Sequence, residues 1–134
     1  MRETLQTRLE ACVERKRRDV FLRADFNDLG GYRQVGRALE QLVRDGKLIR
    51  LGQGVYTRTR PSLLDGKPTL VKGFRPLADE ALRRLGIDTF PTRLEQDYSA
   101  GRTTQVPNGR VIAVRQRVRR RITFNGTSLS FERA

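Results

Sequence analysis

The chain has 134 residues, enough for one ordinary domain or two small ones. It carries 28 Lys and Arg against 15 Asp and Glu, a net charge of +13, and most of the cations are arginine. This balance indicates a polyanionic partner, nucleic acid rather than a membrane surface. With no His and a single Cys, a Cys/His zinc site, an intramolecular disulfide and His-dependent nucleophilic catalysis are excluded.

The sequence contains no apolar run of about 18 residues and no apolar N-terminal core of the signal-peptide kind. We therefore expect a cytoplasmic protein without a membrane segment. Glycine-rich loops of the dinucleotide and nucleotide-phosphate types are missing, and the carboxylates are scattered. We expect no enzymatic activity, no cofactor and no metal. Cys12 falls on an apolar helix stripe and is predicted to be a small buried hydrophobe.

The first predicted element is a helix over residues 3–18, where apolar residues recur on one stripe at helical spacing. It ends in the cationic run 15–18. That run is either a solvated helix end that complements the helix dipole or a clamp for phosphate beside a duplex. A short apolar strand over 20–22 and a small helix that ends near Leu29 follow.

The clearest pattern lies over residues 32–44, where a helix follows the turn Gly30-Gly31 and ends before Asp45-Gly46. Its apolar stripe consists of Val35, Ala38, Leu39, Leu42 and Val43. Two short strands, 47–51 and 55–58, come next and are joined by a glycine-rich turn. Helix, turn, helix and glycine-tipped hairpin, in that order, predict a winged helix-turn-helix over residues 1–60.

The exposed face of the 32–44 helix carries side chains that suit base edges and phosphates in a major groove. These are Tyr32, Arg33, Gln34, Arg37 and Gln41. Arg33, Gln34 and Arg37 are the predicted base-reading residues, since Arg pairs with guanine and Gln with adenine. The alternative is an amphipathic helix with an ordinary polar face.

The hairpin adds candidates that are expected to meet phosphate or the minor groove, namely Arg50, Gln53 and Arg58. Tyr56, which alternates with Val55, is predicted to belong to the core. Residues 61–75 are predicted to be a linker, because proline, glycine and serine leave little room for a regular element.

The remainder, residues 76–134, is predicted to be a second, smaller α+β domain. A helix begins at Pro76 and closes at Gly86, and the segment 92–95 has capping-box spacing for another helical turn, to about Tyr98. Strands are predicted over 110–114, 119–124 and 127–131, with Asn125-Gly126 as a type I′ turn. The expected fold class is therefore α+β, a winged helix-turn-helix followed by a small α+β unit that ends in an antiparallel hairpin.

Basic residues dominate the β part of this second domain. Between Ser99 and Phe131 there is no Asp or Glu. The arginines of this stretch are Arg102, Arg110, Arg115, Arg117, Arg119, Arg120 and Arg121. If the chain is extended here, the odd-numbered residues from 115 to 121 place four arginines on one face and apolar residues on the other. Such a row repels itself, so we expect a binding surface whose partner is either DNA or an acidic protein.

Several short motifs resemble the AbiEi-type abortive-infection antitoxins of type IV toxin-antitoxin systems, over about residues 20–131. The residues that carry the resemblance are Asp25-Phe26, Leu29-Gly30, Ala38-Leu39, Leu42, Gly46-Lys47, Ile49-Arg50, Gly54-Val55-Tyr56 and Thr103-Thr104-Gln105-Val106-Pro107. The chain departs from the family at Gly31, where a serine-like cap is common, and ends at Ala134, earlier than many relatives. The resemblance implies a winged helix that binds promoter DNA and represses its own operon. It also implies a C-terminal region that counteracts a nucleotidyltransferase-like toxin.

The leading hypothesis is thus a DNA-binding repressor whose partner is the operator of its own operon. Two alternatives stay open. One is an RNA-binding protein that uses the arginine-rich strand face, although the chain has no Trp and few other aromatics for a stacking platform. The other is a protein-interaction module that binds an acidic toxin without specific DNA recognition.

Overall fold

The computed structural model describes residues 4–134, which form two compact units, 4–73 and 74–134. The protein belongs to the α+β class. The elements of the first unit are α1 (Leu5–Arg15), β1 (Val20–Leu22), a 3-10 helix (Arg23–Phe26), α2 (Tyr32–Arg44), β2 (Leu48–Gly52), β3 (Val55–Pro61) and β4 (Pro68–Leu70). Those of the second are α3 (Phe74–Arg84), α4 (Arg93–Ser99), β5 (Val111–Val114), β6 (Thr123–Phe124), β7 (Thr127–Ser128) and β8 (Ser130–Arg133).

Helix α1 is shorter than the predicted 3–18. Thr4 caps its start, where the hydroxyl accepts a hydrogen bond from the Thr7 N–H at 3.1 Å; Glu3 lies outside the described residues. The helix ends because Lys16 is already extended, at φ −76° and ψ 141°. Cys12 is half-buried, against the prediction of full burial, and packs at the margin of the core.

Helix α2 has the predicted bounds and supplies the centre of the first core. Val35, Leu39 and Leu42 are at most 1% exposed and pack with Leu9 of α1 and with Phe21 of β1. The helix ends in a Schellman arrangement. Gly46, at φ 77°, donates to the Val43 carbonyl, and the N–H of the next residue donates to the Leu42 carbonyl. Glycine is required there because L side chains disfavour positive φ.

The sheet of the first unit is antiparallel, with β3 between β1 and β2. Tyr56 lies in β3 and is 4% exposed, so its predicted place in the core is confirmed. The turn between β2 and β3 has Gly54 at φ 69°, and the register shifts between Arg50 and Gly52. This bulge bends the strand next to the turn.

The predicted linker over 61–75 contains a regular element. Strand β3 runs on to Pro61 and pairs with β4, with Thr59 opposite Leu70 and Pro61 opposite Pro68. Ser62 donates to the Lys67 carbonyl at 2.8 Å across the turn. The two prolines stand opposite each other at the end of this short ladder, a place where a sheet tolerates proline. Composition alone does not show that such a segment has a strand to pair with.

The second unit contains the predicted capping box. The Thr92 N–H donates to Glu95 Oε1 at 2.9 Å, and the Glu95 N–H donates to Thr92 Oγ1 at 3.0 Å, at the start of α4. The β6–β7 hairpin turns at Asn125 and Gly126, at φ 50° and 77°, as the type I′ prediction requires. The core of the second unit includes Leu77, Leu82 and Ile112, each fully buried.

The strands of the second unit differ from the prediction. The strand expected over 119–124 is reduced to Thr123–Phe124. The strand expected over 127–131 breaks at Leu129, after which β8 pairs in parallel with β5. Leu129 is 6% exposed and donates its N–H to the Ile122 carbonyl at 2.9 Å. This bond extends the hairpin by one pair, and Ser130 then donates to the Arg110 carbonyl at 2.8 Å, so the unit ends in the parallel β5–β8 pair and not in the predicted hairpin.

Two general features concern the described residues 4–134 as a whole. No helix among them is long and apolar enough to cross a membrane. Nor do three or more His, Cys, Asp or Glu side chains among them gather in a way that could hold a metal ion.

Candidate nucleic-acid interface

A polar groove of about 290 Å³ lies on the first unit, between α2 and the β2–β3 turn. Its lining consists of Arg23, Arg33, Gly36, Arg37, Glu40, Arg50, Gln53, Gly54 and Tyr56. Four guanidinium groups and one carboxylate therefore surround it. The groove brings together two sets of predicted residues, Arg33 and Arg37 of α2 with Arg50 and Gln53 of the hairpin.

Helix α2 presents these arginines because its other face is committed to the core. Val35, Ala38, Leu39 and Leu42 are buried, whereas Arg33 and Arg37 are exposed. Residues four apart lie one above the other on a helix, so the two arginines form one stripe along the groove. Glu40 continues this surface by one turn and offsets part of its charge.

The hairpin places Arg50 on the opposite side of the groove. Arg50 is exposed, and its Nε donates to the Gly52 carbonyl at 3.2 Å, which orients the side chain at the turn. It stands opposite Tyr56 in the ladder. Burial raises the pKa of the Tyr56 hydroxyl, while the nearby guanidinium groups of Arg50 and Arg23 act in the opposite direction. Tyr56 thus joins the core to the charged floor of the groove.

Arg23, at the start of the 3-10 helix, also lines the groove. Its backbone N–H donates to the Gly54 carbonyl at 3.0 Å, and its side-chain Nη2 donates to the Tyr32 carbonyl at 2.5 Å. Its Cζ lies 3.4 Å from the centroid of the Tyr32 ring, a cation–π contact. The predicted candidates do not include Arg23. The feature of the sequence that points to Arg23 is Gly36, because a glycine inside a helical pattern often has a packing reason.

Two glutamines of α2 lie outside this lining. The Gln34 Oε1 accepts from the Gly31 N–H at 3.3 Å, so this side chain closes the start of the helix. Gln41 donates from its Nε2 to Asp45 Oδ1 at 2.9 Å. Tyr32 is 66% exposed and presents its ring to Arg23. All three stand on the predicted face of α2, but each has a local partner.

Arg58 faces a different region from Arg50. Its Nε donates to the Arg18 carbonyl at 2.7 Å, its Nη2 donates to the Lys16 carbonyl, and its Cζ lies 5.2 Å from the centre of the Phe21 ring. Only 23% of its side chain is exposed. Arg58 therefore holds the connection between α1 and β1 and does not line the groove.

The cationic run after α1 takes part in the same connection. Arg18 lies 3.6 Å from Asp25, and Arg15, Lys16 and Arg17 are exposed. The sequence left open whether this run is a solvated helix end or a clamp for phosphate. In the structure, two backbone carbonyls of this run, those of Lys16 and Arg18, accept hydrogen bonds from Arg58.

In the second unit, the predicted arginine surface does not form one strand face. Residues 115–122 lie outside the strands, so the alternation expected there has no ladder to impose it. Arg102 pairs with Asp97 at 2.9 Å, and Arg115 lies 4.2 Å from the centroid of the Phe90 ring. Arg110, Arg117, Arg119 and Arg121 are exposed, while Ile122 is buried. Ile122 is buried as predicted, but the arginines lie along an irregular segment instead of on one strand face.

A protein-family model matches most of this chain. No curated protein and no solved structure matches this chain. The model of the family of unknown function DUF6088 matches residues 8–134, nearly the whole sequence. The chain belongs to this family of unknown function, DUF6088.

Proposed function

We propose that the protein binds double-stranded DNA through its first unit, with α2 in the major groove and the β2–β3 hairpin against the backbone. The observation that carries the proposal is the groove, where Arg33 and Arg37 of the helix and Arg50 of the hairpin converge on one surface. Arginine forks pair with guanine edges and with phosphate oxygens. A helix beside a hairpin offers both kinds of contact at once.

The order of elements supports a winged helix-turn-helix as the form of this unit. A helix, a strand, a short 3-10 helix, a longer helix and a hairpin follow one another, and the hairpin strand β3 pairs with β1. In this interpretation α2 is the recognition helix and β2–β3 is the wing. In helix-turn-helix proteins the N-terminal residues of the recognition helix contact base edges. Arg33 and Arg37 occupy that half of α2.

The charge of the chain supports a polyanionic ligand. A net charge of +13 over 134 residues attracts a duplex at long range, and neutralised phosphates release counterions. Binding should therefore weaken steeply as salt increases. Repression of its own operon and neutralisation of a nucleotidyltransferase-like toxin rest on the resemblance to AbiEi-type antitoxins alone, and both stay predictions.

The test compares three ligands across a salt series: the duplex upstream of the protein's own gene, a scrambled duplex and single-stranded RNA. Arg33→Ala and Arg37→Ala should each lower operator affinity by about 1–3 kcal/mol and affect the scrambled duplex less. Arg44→Ala is the matched control, since this exposed arginine ends the same helix outside the groove. Equal losses on operator and scrambled duplex would show contacts to phosphate rather than to bases. Stronger binding to RNA than to either duplex would overturn the proposal.

A further inference from the structure

Gly36 stands in the middle of α2, a position that glycine disfavours. Glycine in a helix interior costs about 1 kcal/mol relative to alanine, because it loses more backbone freedom. Its conformation is helical and needs no glycine. The reason lies in the space beside it. A Cβ at Gly36 would lie 2.2 Å from Arg23 Nη2 and 2.7 Å from Arg23 Cζ, so the missing side chain leaves room for a guanidinium group.

Arg23 is held in that space before any ligand arrives. Its backbone is anchored to Gly54, its Nη2 to the Tyr32 carbonyl, and its guanidinium stacks on the Tyr32 ring. A long side chain fixed in this way has already lost its rotamer freedom, so it adds less entropy cost when a ligand binds. The helix thus accepts an unfavourable residue to hold a cation at the groove.

Arg23 also keeps unused hydrogen-bonding capacity. A guanidinium has five N–H donors and no acceptor. Its Nε is buried and has no hydrogen-bond partner among residues 4–134. A buried donor without an acceptor is unfavourable, and an anion in the groove would reduce that penalty by electrostatic attraction to the whole guanidinium.

We propose that this groove is a preformed phosphate-binding site whose floor is Arg23. Arg50 faces the phosphate from the hairpin side, and Gly36 is required because it admits the guanidinium group. Arg33 and Arg37 line the opposite wall, where their guanidinium groups remain available for base edges. The ligand class is a single phosphate group, which guanidinium forks recognise. Glu40 leaves a net charge of +3 among the lining residues, four arginines against one carboxylate. The inference deepens the proposed DNA binding, in which the phosphate belongs to the duplex backbone. A free phosphate group has the same chemistry.

The first experiment follows the Nε–Hε resonances of arginine in the full chain by NMR during titration with inorganic phosphate. Chloride at equal ionic strength serves as the control. Phosphate should shift the resonances of Arg23 and Arg50 with a saturating curve. Gly36→Ala should remove these shifts, because the new Cβ displaces the guanidinium from its seat. Gly31→Ala is the matched control, since a Cβ there meets its nearest atom at 3.8 Å, and it should leave the shifts unchanged.

The second experiment measures duplex binding by the same variants across a salt series. Arg23→Ala and Gly36→Ala should each shallow the slope of log K against log salt by about 0.9, the value for one phosphate contact. The double variant should behave like either single variant, because both changes act through one guanidinium. Circular dichroism melts confirm that each variant is folded, and any variant that is not folded is replaced by Arg23→Gln, which removes the charge and keeps a polar side chain.

The outcomes separate this inference from the proposed function. Phosphate shifts that depend on Gly36, without duplex binding, would keep the phosphate site and remove the DNA proposal, with a free phosphate group as the ligand. Duplex binding with unmoved Arg23 resonances and an unchanged salt slope in Gly36→Ala would keep DNA binding and overturn the phosphate site. Additive losses in the double variant would also overturn it, since the two residues would then act separately.

Discussion

Arg50 and Arg58 have the same side chain, eight residues apart in one hairpin, yet their surroundings give them different roles. Arg50 is exposed and bends over the turn at the groove. Arg58 donates to two backbone carbonyls and covers the Phe21 ring. A buried carbonyl that loses its donor lowers stability, whereas removal of an exposed guanidinium leaves no buried group without a partner.

We therefore expect Arg58→Ala to lower the free energy of unfolding by about 1–2 kcal/mol, because the part-buried Arg18 carbonyl loses its donor and the Phe21 ring loses its cover. The salt dependence of duplex binding should stay close to that of the unmodified chain. Arg50→Ala should do the reverse, shallowing the salt slope by about 0.9 and changing stability by less than about 0.5 kcal/mol. Urea unfolding and a salt series on the same two proteins check both. A shallower slope in Arg58→Ala would contradict the structural role.

At the scale of elements, the start of α4 joins three segments of the second unit. Arg75 of α3 lies 3.2 Å from Asp79 and 3.3 Å from Glu95, and it donates to the Val111 carbonyl of β5 at 2.9 Å. Burial by itself would raise the pKa of Glu95. The hydrogen bonds from Thr92 and the charge of Arg75 outweigh burial, so the pKa of Glu95 lies below its usual value of 4.5.

This lowered pKa has a consequence for acid stability. The charged Glu95 stabilises the folded unit at pH values above 4.5, and this contribution disappears as the pH falls through the lower pKa of the folded state. Glu95→Gln should reduce the loss of stability on acidification and should be less stable near neutral pH. Urea unfolding at a series of pH values between about 3 and 7 measures this. Asp88→Asn, which removes an exposed carboxylate in the same unit, is the control. Equal pH profiles for Glu95→Gln and the unmodified chain would refute the expectation.

The β3–β4 hairpin is the second element with a testable property. Leu63 and Leu64 at its turn are 95% and 98% exposed, although the strands on either side are paired. Proteases cleave exposed loop tips first, since the chain must be locally free to enter the protease. Limited chymotrypsin digestion should therefore cut first at Leu63 or Leu64. Replacing both with Asp should slow that cut and leave the others unchanged. A first cut after Tyr98, an exposed chymotrypsin site of the second unit, would contradict the expectation.

At the scale of the whole molecule, the excess positive charge is distributed over both units. The groove accounts for part of it in the first unit, and the irregular segment 115–122 carries much of it in the second. Charges on such a segment can follow a phosphate backbone without a fixed register. A contact of this kind adds affinity that is independent of sequence.

Reversal of Arg117, Arg119 and Arg121 to Glu in the full chain tests this contribution. If the segment meets DNA, operator and scrambled duplex should lose affinity by a similar factor, and the salt slope should become shallower. Arg83→Glu is the control, because that exposed arginine lies on α3, outside the segment. Unchanged binding to both duplexes would assign the segment to another partner, such as the acidic protein surface that the sequence left open.

The amino-acid sequence by itself determined the elements whose signals are local. The bounds of α2, the glycine that closes it, the Thr92–Glu95 capping box and the Asn125-Gly126 turn all follow from contacts within a few residues. Helix periodicity also separated the buried face of α2 from the exposed one, and it thereby predicted that Arg33 and Arg37 lie on the exposed face. Such features depend on backbone preferences and on burial of one side, and both leave periodic patterns.

Tertiary structure alone decided which exposed side chains share a surface. Arg23 joins the groove because β1 pairs with β3 and brings the 3-10 helix against the turn at Gly54, contacts between residues far apart in sequence. The same pairing turns Arg58 away, and the ladder with β4 makes a strand of a segment rich in proline and glycine. In the second unit, β5 pairs in parallel with β8, residues 115–122 have no ladder partner, and the arginine strand that alternation predicted does not form. The physical reason is that a strand needs a partner, and no pattern within one segment specifies where that partner is.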